Sequence, residues 1–66
     1  MNYAQECQWG RDIAASEIAE CAMTGNFPKL VRTIRDFADQ KHGIAIGFLQ
    51  EIAERATEQP IRQSQD

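Results

Sequence analysis

Little in this sequence is equipped for chemistry. It holds two cysteines, one histidine, two prolines and four glycines. Two cysteines are too few for a disulfide scaffold. No apolar run reaches the roughly 18 residues that a membrane span requires, so no membrane partner is expected. The opening stretch, Met1 to Asp12, lacks a basic segment followed by an apolar one, which argues against a secretory signal and for a cytoplasmic location. Alternation of the strand type is confined to Ile44-Ala45-Ile46, too short to define a strand. An excess of positive charge is also missing. The net charge of −3 argues against a general nucleic-acid binder, whose affinity comes from neutralising phosphates.

The chemical groups that remain do not form a site by spacing. A cysteine enzyme needs a thiol, a histidine and an orienting group in mutual reach. Cys7 sits amid acidic residues and on an apolar face, where a thiol is a poor nucleophile, so no catalytic residue is assigned. The cysteines read as small apolar side chains. They are 14 positions apart, roughly 21 Å along a helix, too far to bond each other within it. A bond between copies is geometrically open, although free thiols are expected in a reducing compartment. A zinc site needs four ligands, which one histidine and two distant cysteines do not supply. No glycine-rich phosphate loop is present. No metal and no cofactor are therefore expected.

What is present is helical periodicity. Glycine and proline at Gly25, Pro28, Gly43, Gly47 and Pro60 punctuate segments with apolar residues three and four apart. A first helix is expected from about Tyr3 to Met23, capped by Asn2 with Gln5 in the capping-box position and closed by Gly25. One broad face collects Tyr3, Ala4, Cys7, Gly10, Ala14, Ile18, Cys21 and Ala22. It is mostly small, which lets another helix approach closely. Trp9, Ile13 and Met23 fall on a different side, with Ser16 and Glu20 between them. Tyr3, Trp9, Ile13, Glu20 and Met23 are the candidate protein interface, the alternative being that Trp9 folds over the edge of the same core.

A second helix follows Asn26, a cap, and Pro28, which is tolerated in a first turn. Phe27, Leu30, Val31, Ile34, Phe37 and Ala38 give the cleanest amphipathic pattern in the chain. Arg35 and Asp39 are placed to pair. Gly43 is expected to end this helix, with His42 at its C-terminus, where partial positive charge is favoured. A third helix should cover about Ile44 to Thr57, with Ala45, Phe48, Leu49, Ile52, Ala53 and Ala56 as its stripe. Gly43 and Gly47, four apart, hint at close packing of a neighbouring backbone. Pro60 stops this helix. Residues 1–59 then form one helical domain and 60–66 a polar tail.

Charge is unevenly distributed. Residues 1–26 carry −3, residues 27–43 carry +2 and residues 44–66 carry −2. Such an order attracts neighbouring helices, or another copy. Lys29, Arg32, Arg35, Lys41 and His42 form a candidate anion-binding group for a nucleotide-like ligand shared across subunits. The last two helices have roughly the layout of a helix-turn-helix. However, the would-be reading helix offers one Gln and one Arg among acids and apolar groups, so DNA is a poor partner.

The fold class expected is all-α: a long first helix plus a helical hairpin, in a small domain. A chain of 66 residues and 7.5 kDa buries a limited core, and such chains gain stability from disulfides, metals or self-association. With the first two set aside, a homo-oligomer is expected, a dimer or higher, with the first helix contributing the interface. No motif places the chain in a named family. In size, acidity, helicity and lack of catalytic residues, it resembles the short accessory proteins of temperate phages and other mobile elements. That resemblance implies a non-enzymatic inhibitor or modulator of a host protein, host-defence systems included. The alternatives are an oligomeric sequesterer of an anionic small molecule and a helix-turn-helix transcriptional regulator.

Overall fold

Three helices follow one another in the computed structural model, which describes residues 2–58. They are α1 (Tyr3–Thr24), α2 (Phe27–Ala38) and α3 (Gly43–Thr57). Among the described residues there is no strand, and no helix is long and apolar enough to cross a membrane. The tail expected at 60–66 lies outside the described residues.

Local signals set the helix ends. Asn2 Oδ1 accepts the Gln5 N–H at 2.8 Å, and Gln5 Oε1 accepts the Asn2 N–H at 3.0 Å, which completes the capping box. Gly25 closes α1 in the left-handed region, with φ 72°, where a Cβ would be strained. Its N–H bonds the Cys21 carbonyl at 2.7 Å. Asn26 then caps α2 through the Lys29 N–H at 3.2 Å. Two residues therefore separate α1 from α2, each with an assigned role.

The end of α2 departs from the sequence reading. The helix stops at Ala38, and Asp39 is its C-cap. Gly43 does not end α2; it is the first residue of α3. His42 likewise belongs to α3, as its N-cap, where Nδ1 accepts the Ala45 N–H at 3.2 Å. Gly43 is not there for a left-handed turn. It is buried, and a Cβ on it would come within 2.7 Å of the Glu6 Cβ. Glycine's lack of a side chain, not its torsional freedom, is what this position uses. The expected Arg35–Asp39 pair does not form.

The core lies between α1 and α3. A Cβ on Gly10 would overlap the Ile44 carbonyl and come within 2.6 Å of the Phe48 nitrogen. A Cβ on Gly47 would overlap the Cys7 carbonyl and come within 2.6 Å of the Cys7 Cα. The two backbones therefore touch at glycines on both sides. Ala14, Ala45 and Phe48 are fully covered around this contact, and Cys21 nearly so. Close approach of this kind gains dispersion contacts along the whole seam. The small-residue face of α1, expected to let another helix approach closely, is thus occupied by α3.

Charge closes the edges of the seam. Arg11 reaches from α1 to Glu51 at 3.0 Å and Glu54 at 2.9 Å, and Arg55 also holds Glu51 at 2.8 Å. The basic middle segment contributes less than its charge suggested. Among the described residues, Lys29 to Glu20 at 2.7 Å is the one ion pair that joins α2 to another helix.

Candidate interaction face

The helix with the cleanest amphipathic pattern buries nothing completely. No residue of α2 is fully covered, although six of its twelve positions are the apolar residues Phe27, Leu30, Val31, Ile34, Phe37 and Ala38. Leu30, Ile34 and Phe37 are half-buried against the α1–α3 pair, and the Phe37 ring stacks on Phe48 with centroids 4.5 Å apart. Phe27 is 65% exposed, Val31 48%, and Met23, at the end of α1, 87%. Ala38 is also exposed.

The orientation of α2 accounts for this. The residues it turns inward are Lys29, Leu30, Thr33, Ile34 and Phe37, all half-buried. At about 100° per residue, the centre of that group is rotated roughly 70° from the centre of the apolar stripe. Thr33 and the Lys29 stem take inward positions while Phe27 and Val31 face out. The Lys29–Glu20 pair and the Thr33 hydroxyl, which donates to the Lys29 carbonyl at 3.1 Å, keep the polar groups on the inner edge satisfied.

Two seams therefore run along α2 and share Ile34. The inner one, Leu30, Ile34 and Phe37, rests on the protein's own core. The outer one, Phe27, Val31, Ile34 and Ala38, has spacings of four, three and four. This alternation is how helices interlock with one another. Arg35 borders the outer seam and Arg32 lies beyond it, with the exposed C-cap Asp39 between the two in angle. Both arginines are exposed, and neither makes an ion pair among the described residues.

The residues singled out from sequence are spread over several places. Tyr3 is 60% exposed but sits at the α1–α3 edge, where its Cδ1 would be 3.3 Å from a Cβ on Gly43. The neighbouring Cys7 side chain, foremost, pushes its phenol above the ordinary value of 10.0. Trp9 is 49% exposed, Ile13 is half-buried, and Glu20 is exposed but held by Lys29. Met23 lies beside the turn into α2. The basic group is divided in the same way. Lys29 is engaged with Glu20, and His42 caps α3 while its Nε2 meets the Gln40 Oε1. Arg32, Arg35 and Lys41 remain exposed.

Sequence reasoning placed Phe27 and Val31 in one apolar stripe with Leu30, Ile34, Phe37 and Ala38 and so missed the separate face they form. The available signal was the width of the α2 stripe, which holds two complete seams where one suffices for a core. The remaining polar networks support the fold. Arg55, then Arg11, hold the Glu51 carboxyl below its ordinary value of 4.5, and Glu54, foremost, raises Arg11. Glu6 Oε1 accepts the Gly43 N–H at 3.1 Å, so a second group serves the N-terminus of α3. A shallow groove where α1 meets α2 is lined by Glu17, Cys21, Asn26 and Leu30 and bridged by the Lys29–Glu20 pair. Among the described residues no three His, Cys, Asp or Glu side chains group to hold a metal ion. No family model, curated protein or solved structure matches this chain.

Proposed function

We propose that this is a non-enzymatic protein-interaction module whose working surface is the outer side of α2. One observation carries the reading. A strongly amphipathic helix is turned so that Phe27 and Val31 face outward while Thr33 and Lys29 face inward. Contiguous exposed apolar surface of this kind marks sites of association. Aromatic anchors such as Phe27 carry much of the energy at such sites. Modulation of a host protein, as the phage-accessory resemblance implies, is one task such a surface serves.

The alternatives draw less support. Two of the five residues in the candidate anion group, Lys29 and His42, are committed to internal bonds. A DNA-reading role for α3 needs free donors on its exposed face, whereas Arg55 there is held by Glu51 and the rest of that face is largely acidic or apolar.

The test is comparative capture from the native host. Wild-type protein should retain a partner that the Phe27→Gln, Val31→Gln double variant loses, with the helical circular dichroism of the two unchanged. Identical capture by both proteins would contradict the reading.

A further inference from the structure

We infer that the outer seam of α2 receives an amphipathic helix of another protein that carries acidic residues beside its apolar stripe. This inference rests on the interaction reading above and adds the chemistry of the partner.

The spacing of the seam selects the shape of the occupant. Phe27, Val31, Ile34 and Ala38 alternate by four and three, which suits a second helix laid along the first with its side chains interlocked. An extended strand would need free backbone groups, which a helix does not offer.

The rim selects the charge. On its open side, at about 100° per residue, the seam is bordered first by Arg35, then by the C-cap Asp39 one turn further along, and then by Arg32. All three are exposed and without an ion-pair partner among the described residues, so the flank carries one net positive charge, centred on the two arginines. At about 100° per residue, Asp36 falls roughly opposite the seam, away from an incoming helix. Glutamates flanking the partner's stripe would meet the two guanidinium groups, which bind carboxylates in a forked, directional manner.

The same rim disfavours a second copy. Laid antiparallel about the centre of α2, a second α2 would place its Arg32 beside the first copy's Arg35, and the reverse, on one flank of the pair. Laid parallel, it would press the open flank of each copy against the flank of the other that α1 and α3 already cover.

The test uses two synthetic helical peptides with leucines at alternating spacings of three and four, one flanked by glutamate and the other by lysine. Calorimetric titration into the full chain should give at least about tenfold tighter binding of the glutamate peptide, weakened by added salt. The Arg32→Glu, Arg35→Glu variant should reverse that preference, and Val31→Gln should abolish binding of both peptides. Equal binding of the two peptides would overturn the acidic partner and leave the interaction reading standing. So would a wild-type dimer in sedimentation that Val31→Gln dissolves, or tighter association with phosphatidylserine vesicles than with the glutamate peptide. A monomer that binds neither peptide nor vesicles would overturn the acidic partner, and the capture comparison then decides the interaction reading separately.

Discussion

The α1–α3 pair and α2 are built from similar proportions of apolar residues and use them in opposite ways. In α1 and α3 the inward residues are small. Gly10, Gly47, Ala14 and Ala45 bring the two backbones into contact around one fully buried ring, Phe48. In α2 the apolar residues are large and regularly spaced, yet none is fully buried. Amphipathicity alone therefore does not locate a core. What decides is whether the neighbouring surface can come close enough, and the glycines permit this for α3 but not for α2.

The contrast predicts a graded series of effects. The largest belongs to Phe48, which is completely enclosed. Phe48→Ala should cost about 3–5 kcal/mol, comparable with the whole stability expected at this size. Loss of cooperative thermal unfolding by circular dichroism checks it. Next comes Gly47→Ala. The added methyl meets Cys7 backbone, which cannot rotate away, so a cost toward the upper end of about 1–3 kcal/mol is expected from denaturant unfolding. A Gly47→Ala protein of unchanged stability would contradict backbone contact between α1 and α3 at this position.

His42→Ala should cost about 1 kcal/mol through loss of the α3 cap, whereas His42→Asn should keep most of it. Acid sharpens the contrast from the electrostatic side. In the folded chain the Glu51 carboxyl lies below its ordinary 4.5, so on acidification the unfolded chain takes up that proton first. The stability this group contributes is complete above the ordinary carboxylate range and is lost as pH falls through and below it. Melting temperature measured across that range should decline more gently in Glu51→Gln than in wild type.

Much of the architecture was legible in the residues. The Asn2–Gln5 box, the Gly25 stop and the Asn26 cap are local devices, and local chemistry determines them. The small face of α1 and the Gly43–Gly47 spacing also announced a close approach. The covering helix was less legible, because small residues record that something comes near without recording which element it is. The α2–α3 boundary was misread for a related reason. Glycine ends helices and also admits neighbours, and Gly43 serves the second purpose, with His42 starting α3 instead of finishing α2. The outer face of α2 was hidden by its own regularity. Phe27 and Val31 fit a core stripe by period, and only the rotation of the helix against α1 and α3 separates them from Leu30 and Phe37.

The smallest effect in the series bears most directly on the central claim, that the outer seam of α2 is a contact surface and not part of the core. The measurement is the denaturant unfolding free energy of the Phe27→Gln, Val31→Gln double variant against wild type. A change of less than about 1 kcal/mol, small beside the roughly 2–5 kcal/mol of a single truncated core residue, is the predicted result. A loss of core size would contradict the claim, because it would place Phe27 and Val31 inside the fold.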